Sequence, residues 1–170
     1  PKQPKMESRD RFVLSKGHTA PGLYSALAYR GFFPVSDLPT LRHADSYLQG
    51  HPNMNLVPGV DMSTGSLGQG VSCAAGMAKE GQVWEAFMFA AHFKLDNLCV
   101  IIDLNGLQID GPTEKVMNSA PVDAKMEAFG FNVVTIDGHD FDQIESAFAA
   151  FRACTGKPTA ILMHTTKGKG

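Results

Sequence analysis

The chain has 170 residues, 44% of them hydrophobic, and a formal net charge of −2. That is enough for one good-sized core of ordinary globular composition, and it gives no reason to expect a nucleic acid or an anionic membrane as partner. The apolar runs are too short to span a bilayer, no signal peptide is visible, and Cys73, Cys99 and Cys154 lie apart without a C-x-x-C pair, so we read buried free thiols in a reducing cytoplasm.

Residues 1–10 are polar and read as the tail of a linker. Residues 11–15, R-F-V-L-S, read as a short strand. Gly17-His18 then turns into an apolar helix over 21–29, stopped by Gly31. Pro39, Pro52 and Pro58 rule out a long element across 36–60. The loop S-T-G-S-L-G-Q-G (63–70) leads into a helix over 71–78 whose small residues suit close backbone packing. Trp84, Phe87, Met88, Ala91 and Leu95 recur at helical spacing and predict an amphipathic helix over 82–94. The continuous apolar run 98–102 reads as a strand buried on both faces and ending at Asp103. A helix over 121–129 follows, with Pro121 first and Gly130 just past its end. Next come a strand over 132–136, a helix over 141–154 capped by Asp140 and ended by Gly156, and a strand over 159–163. This alternation with short connections predicts an α/β fold, a parallel sheet with helices on both faces.

In such a sheet ligands bind beyond the carboxyl ends of the strands. Gly65, Gly68 and Gly70 would let backbone approach an anion at a helix start. Small-residue helix packing explains them equally well, and the spacing is neither G-x-G-x-x-G nor a P-loop. Asp103 and Asn105 bring oxygen donors for a hard cation, and Gly106 lets the chain bend; a plain β-turn is the local alternative. An EF-hand is excluded because Leu107 and Gln108 occupy positions that need a ligand and a glycine. His18 and His51 sit on tight turns, which makes each a candidate beyond a structural role. His92 and His164 read as structural and His43 as exposed. No H-E-x-x-H, Cys/His metal spacing or nucleophile elbow occurs.

L-S-K-G-H (14–18), L-Q-G-H-P (48–52), S-T-G-S-L-G-Q-G (63–70), E-G-Q-V-W-E-A (80–86), D-L-N-G-L-Q-I-D-G (103–111) and I-D-G-H-D (136–140) together resemble transketolases, in family order and over nearly the whole chain. In detail the chain resembles the small N-terminal subunit of the split bacterial type. The resemblance implies a thiamine-diphosphate-binding domain over 1–170 in a cytoplasmic enzyme of the pentose phosphate pathway. That enzyme moves two-carbon ketol units between sugar phosphates with thiamine diphosphate and Mg²⁺ (or Ca²⁺). It implies metal ligation by the Asn105 side-chain oxygen and the Leu107 carbonyl, and cofactor lining by Gly65, Ser66 and Leu67. His18 would lie near cofactor and donor, His51 would contact the donor's hydroxyls, and Glu80 would join a proton relay across a dimer interface; a solvated carboxylate is the plain alternative for Glu80. The family has proline where this chain has Ser66.

The chain departs from the family pattern in two places. Lys79 runs directly into Glu80, where the family has a strand and a Gly-Asp-Gly loop whose aspartate is a principal metal ligand. The family's first helix and an S-G-H-P-G segment are also missing before Pro1. We expect these pieces to be cofactor-contacting loops of the full protein; an intact mass equal to 18.3 kDa would contradict that. The family's cofactor-activating glutamate and most substrate-phosphate ligands belong to other domains. The resemblance therefore implies a C-terminal partner subunit, self-association into a heterotetramer, and little activity alone. The alternatives are a deoxyxylulose-phosphate synthase-like enzyme and a non-catalytic remnant that binds or regulates a partner.

Overall fold

The computed structural model describes residues 10–68, 70, 74 and 83–169. Cys73, residues 1–9 of the linker expected over 1–10, most of the helix expected over 71–78, and the Lys79–Glu80 junction lie outside these residues. The chain forms two compact units, Pro1–Ala86 and Phe87–Gly170.

In the first unit the segment 11–15 is not a strand. Its backbone groups bond to loops instead of a neighbouring strand. The Phe12 N–H donates to Asp61 Oδ2 at 3.0 Å, the Leu14 carbonyl accepts from Thr64 Oγ1 at 2.5 Å, and the Ser15 carbonyl accepts from the Gly68 N–H at 3.3 Å. A 3₁₀ turn over Gly17–Thr19 leads into α1 (Ala20–Tyr29), with Pro21 in its first turn, where its missing N–H costs nothing. Gly31 follows the helix with φ +81°, the left-handed conformation that favours glycine after a helix end. The inner face of α1 buries Ala20, Tyr24, Leu27 and Ala28 against Phe33, Leu48, Val57 and Val60. Beyond a 3₁₀ helix over Val35–Thr40, the region 36–60 is turns, as its prolines require.

Helix α2 (Val83–His92) carries the chain into the second unit. There β1 (Cys99–Leu104) is followed by a small hairpin of β2 (Leu107–Gln108) and β3 (Gly111–Pro112), then α3 (Thr113–Val116) and α4 (Val122–Ala128). Strand β4 (Asn132–Asp137), α5 (Phe141–Ala153) and β5 (Thr159–His164) complete it. The order β1-β5-β4 is parallel throughout, with Val100 beside Ala160 and Val134 beside Ile161. Helix α5 lays Ala147, Ile144 and Phe148 over Ile136 and Ile161. Ala160 and Leu162, pointing to the opposite face, are buried as fully, so β5 is the strand covered on both sides.

The sequence assigned that double burial to 98–102. Strand β1 runs further, to Leu104, and Ile101 is 44% exposed. The reason is position: among the described residues β1 has a neighbour, β5, on one edge only. Within the second unit the ring of Phe87, from α2, lies 5.7 Å from Phe129 and 5.4 Å from Phe131. Asp140 caps α5, accepting from the Asp142 and Gln143 N–H groups. Those bonds, the Gln143 N–H first and its side-chain amide next, hold the Asp140 carboxyl below its ordinary value.

Candidate functional site

In the first unit, glycines bring three candidate segments together. Gly17 is buried, and a Cβ there would lie 2.8 Å from the Thr64 carbonyl oxygen and 2.9 Å from Gly65 Cα. The Gly17 backbone therefore lies directly against the glycine loop. A Cβ on Gly65 would meet the His51 ring at 3.9 Å, which places that imidazole over the same glycine. Gly70 lies directly against the Ser15 backbone, leaving no room for a Cβ. The loop is anchored further by the Thr64 N–H, which donates to the Pro52 carbonyl at 3.3 Å. The Tyr24 hydroxyl lies 2.9 Å from the Gln49 carbonyl oxygen and 3.0 Å from that of His51, fixing the turn that carries the histidine. Burial pushes the Tyr24 phenol up, so it stays a donor. His18, His51, Ser66 and Leu67 are exposed and Gly65 half-buried. The result is a backbone cradle with the His51 ring beside Gly65, and with His18 following Gly17 in the chain.

In the second unit the site is the turn after β1. The Asn105 Nδ2 donates to Asp103 Oδ2 at 2.9 Å, and the Leu107 N–H donates to Asn105 Oδ1 at 2.9 Å. Gly106 takes φ +70°, which bends the chain. Thr113 N–H bonds the Gly106 carbonyl at 2.9 Å, so 106/113 is a hydrogen-bonded pair of the hairpin. Antiparallel pairs alternate, and Leu107 faces Pro112 as the next pair. The Leu107 carbonyl therefore points off the ladder, away from β3. Asn105 Oδ1 and this carbonyl are neutral oxygen donors, which suits Mg²⁺ or Ca²⁺.

The donors fit such a cation in kind but are too few. Among the described residues no cluster of three or more His, Cys, Asp or Glu side chains could hold a metal. A cation held at this turn would need further ligands. Glu80 lies outside the described residues. Asp103, read from sequence as an oxygen donor, is turned toward Asn105 and toward the Thr165 hydroxyl. Sequence reading passed over Thr165, which sits in a threonine-lysine tail with no recognisable spacing.

The family model for the transketolase thiamine diphosphate binding domain matches residues 1–80 and 76–170. The chain belongs to the transketolase family. It is 44% identical to the 6-deoxy-6-sulfo-D-fructose transketolase subunit SqwG of Clostridium sp. strain MSTE9, over all of this chain and 70% of that subunit. It is 39% identical to a subunit of the apulose-4-phosphate transketolase of Actinobacillus succinogenes, over 95% of this chain and 66% of that one. The transketolase of Pichia stipitis solved with sedoheptulose 7-phosphate superposes with a TM-score of 0.91 at 33% identity, over 97% of this chain and 29% of that one. The chain thus corresponds to the N-terminal domain of whole transketolases and to most of a separate transketolase subunit. The family match divides at 76–80, and the alignment with the clostridial subunit takes 191 positions for the 170 residues here. Among the described residues no helix is long and apolar enough to cross a membrane.

Proposed function

We propose that this chain is the diphosphate-binding subunit of a two-subunit transketolase, transferring a two-carbon ketol unit between sugar phosphates with thiamine diphosphate and a divalent cation. The observation that carries the reading is the family match over the whole chain, and the close approach of Gly17, His51 and Gly65 and the oxygen-bearing turn at Asn105 support it. Thiamine diphosphate supplies the carbanion stabilisation that such transfer needs. Asn105 Oδ1 and the Leu107 carbonyl would hold the cation, and the backbone of Gly65, Ser66 and Leu67 would line the cofactor. His18 would face cofactor and donor, His51 would orient the donor's hydroxyls, and Glu80 would link paired sites across the interface. A C-terminal subunit would supply the cofactor-activating carboxylate and the substrate-phosphate ligands. The active protein would also carry a strand and a Gly-Asp-Gly loop at the Lys79–Glu80 join. The divided family match and the one-sided pairing of β1 among the described residues support that segment, and an active protein with an intact mass of 18.3 kDa would refute it.

The test mixes this chain with its candidate C-terminal partner, thiamine diphosphate and Mg²⁺, and measures ketol transfer from xylulose phosphate. Transfer by the mixture and by neither component on its own is expected. Failure of the mixture to bind cofactor in a calorimeter would instead support a non-catalytic remnant. A narrower donor is the second reading, favoured by the similarity to SqwG. Adding 6-deoxy-6-sulfo-D-fructose and apulose 4-phosphate as competing donors distinguishes it, since a specialised enzyme would prefer one of them over xylulose phosphate.

A further inference from the structure

We infer that Asp103 and Thr165 are positioning residues for the Asn105 oxygen, with His139 holding the segment that carries Thr165. The inference rests on the proposed role of Asn105 as a cation ligand. A primary amide has nearly the same shape when its oxygen and nitrogen are exchanged, so only its hydrogen-bond partners decide which end faces a ligand. Here Nδ2 donates to the Asp103 carboxylate and Oδ1 accepts from the Leu107 N–H, each at 2.9 Å. The exchanged orientation would set oxygen against carboxylate and NH₂ against N–H, losing both bonds.

Asp103 does this only if its own carboxylate cannot swing away, and the side chain is exposed. Its other oxygen accepts from the Thr165 hydroxyl. Thr165 directly follows β5, and its N–H reaches the Leu104 carbonyl at 3.4 Å, continuing the pairing with β1. The next residue is held from the far side, since the Thr166 N–H donates to His139 Nε2 at 2.8 Å. His139 is fixed in turn by its own N–H to Asp137 Oδ1 at 2.9 Å. Gly138 lets that turn close: its N–H reaches the His164 carbonyl at 2.8 Å, and a Cβ there would lie 2.5 Å from Thr165 Cγ2. The C-terminal ends of β1, β5 and β4 are thus tied, through the exposed Asp103 and the half-buried Thr165 and His139, to the orientation of one amide.

The test uses the reconstituted two-subunit complex and Mn²⁺ as probe, with bound and free ion separated by electron paramagnetic resonance. Thr165→Val keeps the side-chain volume and every charge while removing the hydroxyl. It should weaken Mn²⁺ binding by up to roughly tenfold, since losing a direct outer partner of a metal ligand costs at least that and Thr165 acts one step further out, through Asp103. It should also raise the Mg²⁺ concentration needed for half-maximal activity, with kcat near wild type at saturating Mg²⁺. Thr165→Ser should restore binding, and His139→Ala should weaken it in the same direction by less. Wild-type Mn²⁺ affinity in Thr165→Val, with binding lost in Asn105→Ala, would overturn the positioning role and leave the ligand assignment standing. Equal weakening in Thr165→Ser and Thr165→Val would also overturn it, because the hydroxyl would then be irrelevant. Unchanged binding in Asn105→Ala would sink the ligand assignment itself.

Discussion

Gly17→Ala probes the link between fold and site most directly. The added methyl would lie 2.8 Å from the Thr64 carbonyl oxygen, 2.9 Å from Gly65 Cα and 3.0 Å from Gly65 N, against an ordinary contact range of 3.4–4 Å. All three atoms are backbone, so no side chain can turn aside, and the glycine loop must retreat by roughly half an ångström or more. Overpacking of this kind costs about 1–3 kcal/mol. At about 2–4 °C per kcal/mol for a chain of this size, the melting temperature should fall by about 2–12 °C. The retreat also carries Gly65 out from under the His51 ring. Displacements approaching an ångström in a positioning element are costly to function, so thiamine diphosphate affinity in the reconstituted complex should fall by roughly tenfold or more. Gly22→Ala is the matched control. Gly22 is an exposed position in α1 where an added Cβ meets nothing within 4 Å, and the substitution should gain up to about 1 kcal/mol in helix propensity. Thermal unfolding by circular dichroism and calorimetric cofactor titration read both variants. A Gly17→Ala protein that melts with wild type and binds cofactor equally well would refute the close-packing argument.

Gly106→Ala tests conformation without crowding, because an added Cβ there meets nothing within 4 Å while φ is +70°. It should cost about 1–2 kcal/mol in a denaturant titration and weaken Mn²⁺ binding by tilting Leu107 and Asn105; no loss of either kind would mean the bend is dispensable. Burial pushes the Cys99 thiol up to about 11 from an ordinary 9.0. The folded state therefore keeps this group's contribution to stability below pH 9 and loses it as pH rises through about 11. Urea midpoints measured between those values should fall for wild type and fall less for Cys99→Ala, and iodoacetamide at pH 8 should label Cys99 slowly in the native protein. Asp140, held below its ordinary 3.8, contributes stability above that pH and loses it as pH falls through the lower folded value. Asp140→Asn should flatten the acid limb of the stability curve, and an unchanged limb would rule out the cap as its source.

Most of the second unit was legible because its elements announce themselves locally. The apolar run in 159–163, the Asp140 cap and the glycines at 130 and 156 each carry a mechanism that distant contacts do not override. The segment 11–15 misled because a short apolar run such as Phe12-Val13-Leu14 marks an extended chain, whether its hydrogen bonds go to a strand or, as here, to Asp61, Thr64 and Gly68. Double burial was assigned to 98–102 instead of β5 because both runs are continuous and apolar, and strand order is not written in either. At the site, motif spacing identified Gly17, His51, Gly65 and Asn105 as candidates, while the meeting of the first three depends on contacts across dozens of residues. The partnership of Asp103 with Thr165 spans still more chain and had no local signal.

The edge of β1 away from β5 has a consequence for anyone handling this protein. Val100, Ile101 and Ile102 are β-branched, uncharged residues in a strand whose second edge is unpaired among the described residues. A strand of that make-up recruits another from any neighbour that offers one. Solubility should therefore depend on whatever covers that edge. Preparations made without the cover should gather into oligomers on concentration, and a lysine in place of Ile101 should keep them dispersed.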